Sequence, residues 1–463
     1  MHYGVFMIIR NFFLLAVAVN VLSGCGPDAG TQDQQSAAYA SRYVPLPAQP
    51  ELLVGATLLT GSGERIDGAD ILLRDGRIAE IGRDLADDDA RRVDATGLWI
   101  TPGIIDVHSH LGVYPSPEAD AHSDGNEATA PNTAQVWAEH SVWPQDPGFV
   151  TALAGGVTTL QILPGSANLF GGRSVTVKNI PGKSVMDMKF PNAPYGLKMA
   201  CGENPKRVYG GRTQPPSTRM GNVAGYRAAW IAAQDYKDKL EKSQDGDAEK
   251  PLRDLQLETL VGVLDGEILV HNHCYRADEM AVMLEIAKEF DYKIAAFHHA
   301  VEAYKIPELL AANDVCAAVW ADWWGFKMEA YDGIRENAAL VDQGGACAII
   351  HSDDNYGIQR LNQEAAKVIG AAASAGIDLP PEHAIRWITA NPARALGVLA
   401  ETGTLEAGKM ADVTVWSGNP FSVYTTVERV YIDGALAYDR LQPQDNPVTD
   451  FSLGTAQLTG GAL

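Results

Sequence analysis

Thr101-Pro102-Gly103-Ile104-Ile105-Asp106-Val107-His108-Ser109-His110 is the run around which the chain is organised. A Pro-Gly turn leads into an apolar run, and the run stops at a His-x-His pair. Residues two apart in a β-strand project to the same side, so His108 and His110 leave the strand together. Two imidazoles on one face are the beginning of a metal site. Taken alone, such a pair is more often two polar loop residues, and the rest of the chain decides the case.

The same ending recurs along the chain. Glu267 to His273 closes on His271-Asn272-His273, Ile294 to His299 on two adjacent histidines, and Ala346 to Asp354 on His351-Ser352-Asp353-Asp354. Chance hardly accounts for four apolar runs that each stop at a ligand type. Strand-like runs lie at 104–110, 157–163, 174–180, 195–201, 267–273, 293–299, 315–320 and 346–352. Helical stretches fall at 222–243, 277–290, 333–342 and 362–376. Eight strands with intervening helices predict an α/β chain, a (β/α)8 barrel of the TIM type, with its chemistry at the C-terminal strand ends.

The flanks supply a second unit. Glu51 to Thr60 is apolar, Ala69 to Ile81 pairs two runs about Asp75-Gly76, and Arg91 to Ile100 leads into the barrel. Gly403 to Trp416 reads as two short strands about a glycine turn, and Val427 to Tyr438 as a hairpin at Asp433-Gly434. Residues 50–100 and 401–440 are expected to build one small β-sandwich from both chain ends. The barrel then occupies 101–400, and 441–463 is a loose tail.

Residues 1–25 read as an export signal, with one Arg, an apolar core over 11–21 and the ending Leu22-Ser23-Gly24-Cys25. The core is too short to span a bilayer. Its ending is similar to the bacterial lipobox, whose Cys becomes the lipidated first residue. The expected location is periplasmic or cell-surface, anchored through a lipid on Cys25, with the outer membrane preferred to the inner. Residues 26–49 read as a flexible tether. Cys201, Cys274, Cys316 and Cys347 are widely spaced and read as small core residues, not a disulfide framework, with Cys274 near the site. A net charge of −22 without a Lys/Arg block excludes nucleic acid as a partner. The expected partner is a small-molecule substrate, with assembly into a homo-oligomer left open.

Together these pieces resemble the amidohydrolase superfamily of metal-dependent hydrolases, from about Glu51 to Tyr438. The likeness rests on Pro102 to His110, the strand-end histidines, Ser352-Asp353 and the closing Gly403 to Asp412. Lys198-Met199-Ala200-Cys201-Gly202 is similar to the prolidase strand that bears a carboxylated lysine. His273-Cys274-Tyr275 is similar to the His-Ala-Tyr of the imidazolonepropionase and prolidase branch. The resemblance implies metal ligands at His108, His110, His273, His299 and Asp353, and one or two divalent ions, Zn2+ before others. It also implies an anionic bridge from carboxylated Lys198, with Glu203 as the rival because it is already anionic. Strand parity sets His271 below His273, turns His298 away from His299 and sets His351 below Asp353. All three are read as structural support.

The chemistry implied is hydrolysis of a carbon–nitrogen bond, not primarily an ester. A metal-activated hydroxide attacks the carbonyl carbon, and Asp353 passes its proton to the departing amine. His299 orients the adduct, while His273 or Tyr275 stabilises the oxyanion. Arg173, Lys178, Arg207, Tyr209 and Arg212 read as a basic patch on loops after the strands, with Arg212 and Tyr275 as the substrate-binding choices. That patch favours a dipeptide or N-acyl amino acid. Trp320, Trp323 and Trp324 read as an apolar wall or a barrel cap. The alternatives are a mononuclear cyclic-amide hydrolase or deaminase of imidazolonepropionase type and, more remotely, a non-catalytic surface binding lipoprotein.

Overall fold

The computed structural model describes residues 38–449, except 117 and 248. The chain divides into two units, 1–40 and 41–463, and of the first only 38–40 are described. The signal segment, Cys25, most of the tether and the tail beyond Thr449 lie outside the described residues. No helix among the described residues is long and apolar enough to cross a membrane.

Within the second unit both chain ends build one sheet. Strands Glu51–Leu59, Arg65–Arg74, Arg77–Gly82, Arg91–Asp94 and Trp99–Pro102 join Val413–Trp416, Val427–Ile432 and Ala435–Asp439. The two ends meet where Trp99–Pro102 pairs antiparallel with Val413–Trp416. Leu53, Ile71, Val93, Val413 and Tyr431 bury one shared core. Asp75-Gly76 and Asp433-Gly434 form the hairpin turns, all four residues at positive φ, as two-residue turns of this kind require. Of the two strands expected in 403–416 only Val413–Trp416 forms. The backbone of the other segment is pinned crosswise, with Leu405 N–H donating to Thr60 and Gly408 N–H to Ile78.

The eight barrel strands all form. They are β1 (Ile104–Ser109), β2 (Val157–Ile162), β3 (Phe170–Lys178), β4 (Tyr195–Ala200), β5 (Ile268–His273), β6 (Ile294–His298), β7 (Cys316–Val319) and β8 (Cys347–Ile350). They pair in chain order. β3 departs from the expectation: it runs antiparallel to both β2 and β4, and begins at Phe170, not 174. No helix intervenes between β2 and β3, and so short a link can only reverse the chain. Its reversal sends the C-terminal end of β3, with Lys178, to the floor of the barrel.

β1 is buried on both faces, as a barrel strand must be. Ile105 and Val107 pack outward with Ala393, Leu396 and Val398. Asp106 and His108 alternate with them and face the lumen. Gly103 is required by a close approach, since a Cβ there would lie 2.1 Å from Thr158 Oγ1. β8 returns to β1 through Ser352, whose N–H and Oγ–H both donate to Asp106, and through Asp353 N–H donating to His108 O at 3.0 Å. Burial pushes the Asp106 carboxyl up to about 7, against those hydrogen bonds.

Two further expectations are corrected. The stretch read as tether is docked from Ser41 onward, where Ser41 Oγ donates to Lys189 O at 2.6 Å, Arg42 N–H donates to Met186 O, and Leu46 packs on the core. The four cysteines are buried, as expected for core residues, but they form two disulfides, Cys201–Cys274 and Cys316–Cys347. Spacing along the chain hides these pairs because adjacent parallel strands create them. Cys201 and Cys274 follow β4 and β5, and Cys316 and Cys347 stand in register on β7 and β8.

Candidate metal centre

Side chains from β1, β4, β6 and β8 or the residues just beyond them converge at one end of the barrel. His108 Nε2 lies 3.3 Å from His110 Nε2, 3.4 Å from Lys198 Nζ and 3.4 Å from an Asp353 oxygen. That oxygen is 3.2 Å from His110 Nε2, and its mate is 3.7 Å from His299 Nε2. Two donor groups each fit within 4.8 Å, namely His108, His110 and Asp353, and His108, His299 and His351. His110 Nδ1 donates to Leu163 O at 2.8 Å, which leaves Nε2 bare toward the centre.

The electrostatics prepare these groups as ligands. Burial drives His108, His273, His298 and His299 well below the ordinary imidazole value, and His271 and His351 down to about 3. A neutral imidazole is the ligand form. Desolvation lowers Lys198 to about 7 against the opposing pull of Asp353, so much of it is a neutral amine near neutrality. Buried ring nitrogens lack partners among the described residues: His273 Nδ1, His299 Nδ1 and both nitrogens of His351. Unpaired buried groups in a cluster of imidazoles and a carboxylate suit a divalent ion.

The identity follows from comparison with a solved structure. The amidohydrolase from Thermotoga maritima MSB8 shares this fold at a TM-score of 0.78 and 36% identity, covering 84% of this chain and all of that one. The chain belongs to the amidohydrolase family. The Amidohydrolase family profile matches residues 236–437. The amidohydrolase tasK of Hapsidospora irregularis is 33% identical over 395 residues, 80% of this chain, and the chain spans only 40% of that longer protein. An imidazolonepropionase of Mesorhizobium japonicum is 25% identical over 383 residues, 75% of this chain and 85% of that one.

Within this amidohydrolase several expected residues fall outside the cluster or change partners. His273 stands one ring away, 4.8 Å by centroid from His299, with Nε2 3.4 Å from Asn204 Nδ2. Glu203 begins the helix Glu203–Gly210 and pairs with Lys327 at 3.5 Å, at the rim. Arg212 donates to the Ala128 carbonyl on an outer loop and Tyr209 to Ala130. Arg207 lies in the Glu203–Gly210 helix. Arg173 lies within β3, over the Trp137 ring and bonded to Thr259. Lys178 is fully buried between Asp412 at 3.1 Å and Asp433 at 2.6 Å. The basic patch therefore does not form: β3 runs the other way, and its cations belong to the packing.

Strand parity does not extend to His299 and His351. His299 takes φ 56°, which ends the alternation of β6, so both His298 and His299 adjoin His108, with ring centroids 4.8 and 4.4 Å away. His351, read as structural, reaches the donor group because β8 has already ended at Ile350. Sequence reasoning missed Lys327. Its Nζ lies 3.9 Å over the Tyr275 ring and 3.1 Å from Asn204 Oδ1. The only signal was its place in an aromatic loop, Trp320 to Tyr331. There Trp320 stacks on His299 and Trp323 on Trp320.

Proposed function

We propose that this amidohydrolase is a metal-dependent enzyme that cleaves the amide bond of a dipeptide or an N-acyl amino acid. The carrying observation is Lys198 Nζ, fully buried and 3.4 Å from His108 Nε2, beside the imidazoles and Asp353. A neutral buried amine can take up CO2 as a carbamate and supply a bridging anion. His108, His110, His299 and Asp353 would hold the ion, with His351 and His273 as the nearest additional imidazoles. A divalent ion, Zn2+ first, supplies Lewis acidity at the carbonyl and brings the pKa of water toward neutrality.

The chain's own groups complete the reaction. Asp353, with 22% of its side chain exposed, holds the proton at a carboxylate oxygen and delivers it to the leaving amine. Lys327, at the rim beside Tyr275, binds the substrate carboxylate in place of Arg212. Tyr275 faces His273 with its ring 4.7 Å away and orients the carbonyl. Trp320 and Phe326 offer apolar rings beside Tyr275 for a substrate side chain. Glu203, paired with Lys327, is a rim group and not the bridge. Export with a lipid on Cys25 is part of the reading, supported by the Leu-Ser-Gly-Cys ending and by two disulfides that suit an oxidising compartment.

The imidazolonepropionase relative favours a second reading, a mononuclear cyclic-amide hydrolase. Amine release from a panel of dipeptides and N-acyl amino acids, set beside ring opening of cyclic amides, separates the two. Cleavage of linear amides is the expected result. Cleavage of cyclic amides alone selects the second reading, and turnover of neither class by the zinc-supplied protein overturns both.

A further inference from the structure

Two histidines singled out in the sequence have no part in the centre described above, yet they touch it. His298 Nδ1 lies 2.8 Å from His108 Nδ1, and His298 Nε2 lies 2.9 Å from His271 Nδ1. All three side chains are wholly buried. A neutral imidazole has one donor and one acceptor nitrogen. Three neutral rings joined by two such bonds therefore have only two consistent proton arrangements.

In one arrangement His108 Nδ1 donates to His298, and His298 Nε2 donates to His271. His108 Nε2 is then a bare lone pair. In the other every proton is reversed, and His108 Nε2 carries hydrogen toward His110, Lys198 and Asp353, where it blocks coordination. The ligand cluster distinguishes them, because only the first leaves His108 Nε2 free to coordinate beside His110 and Asp353. Among the described residues His271 Nε2 has no hydrogen-bond partner, and neither does Gln161 Oε1. The two side chains flank Gly196, where an added Cβ would lie 2.8 Å from both Gln161 Nε2 and His271 Cδ2. Neither atom bonds the other, and the first arrangement ends the relay with the proton on His271 Nε2. His110 reaches the same end in one step through the Leu163 carbonyl, which can only accept. His108 has no such carbonyl.

We infer that His298 and His271 are positioning residues, a two-bond relay that holds the proton on His108 Nδ1 and aims its Nε2 lone pair at the ion. The inference rests on the metal reading proposed above. An imidazole pair does here what a carboxylate or carbonyl commonly does for a metal-bound histidine.

The test is zinc affinity by competition with a chromophoric chelator, for the parent chain, His298→Leu, His298→Gln and His271→Leu. Long-range 15N spectra of histidine-labelled parent accompany it. Loss of the relay should weaken zinc binding about 10- to 100-fold, the usual cost of removing such a partner. His298→Gln, which can accept at one end and donate at the other, should recover most of it. His271→Leu touches neither His108 nor His299 and should still lose affinity. The zinc-loaded parent should show His108 protonated at Nδ1. Undiminished zinc affinity in both leucine variants, equal loss in His298→Leu and His298→Gln, or a proton on His108 Nε2 in the zinc form overturns the relay alone. A parent that binds no zinc overturns it together with the metal reading.

Discussion

Asp353→Asn separates chemistry from folding at the residue on which proton transfer turns. Asp353 lies in the left-handed region at φ 54°, a conformation that Asn adopts as readily as Asp. Its N–H bond to His108 O, at 3.0 Å, survives the change. The oxygens lie 3.2 Å from His110 Nε2 and 3.7 Å from His299 Nε2, so the amide occupies the same space without charge and without a proton to take or give. Positioned proton transfer is worth about 10²- to 10⁴-fold in rate, or about 2.7–5.4 kcal/mol at 1.36 kcal/mol per decade. We expect kcat/KM on the best linear amide to fall about a thousandfold, within that range. Melting temperature should barely move, and most of the metal should remain because His108, His110 and His299 are intact. The assay pairs steady-state kinetics with elemental analysis of the same sample. A kcat/KM within tenfold of the parent, with metal retained, would refute the shuttle.

Other consequences reach beyond Asp353. Lys198→Met should remove any stimulation by bicarbonate and lower the metal content, and an unchanged metal count would reject the carbamate bridge. The buried imidazoles set the acid limit. His271 and His351 are held near 3 while an unfolded chain takes up those protons near the ordinary 6.5. The unfolded state therefore binds more protons between these values, and stability should fall as pH drops from 6.5 toward 3. Urea titrations of metal-free protein across that window check the sign, and stability flat with pH would contradict it. Reducing Cys201–Cys274 and Cys316–Cys347, which close loops of 73 and 31 residues, should lower the melting temperature. The expected cost is about 2–5 kcal/mol for each bridge. No change with reductant would mean the thiols are unpaired. Lys178→Met leaves Asp412 and Asp433 buried without their cation and should cost about 3–5 kcal/mol in thermal or urea unfolding. A loss below 1 kcal/mol would show that water reaches the pair.

What the sequence revealed follows from where its signals are local. Each barrel strand is a short, largely apolar run and four of them lead into histidines or Asp353, so all eight could be found, while the set His108, His110, Lys198, His299 and Asp353 came from the family resemblance. Direction is not local. β3 looks like its neighbours by composition, and only the helix-free link before it turns it over and carries Lys178 to the barrel floor. The disulfides were invisible for a similar reason, since register between β4 and β5, and between β7 and β8, brings together cysteines far apart in the chain. Parity served while strands lasted and failed at His299 and His351, one residue past their ends. Lys327 carried no pattern of its own. Its role depends on a loop folding back over Tyr275.

Whether the strand-end imidazoles hold an ion is decided by the metal content of the purified chain after resupply with zinc, by elemental analysis, with and without bicarbonate. Bound divalent metal in stoichiometric amount is expected, rising toward two ions per chain when bicarbonate converts Lys198 to the carbamate. No stoichiometric metal under either condition would contradict it, because the imidazoles at the strand ends would then hold nothing that could activate water.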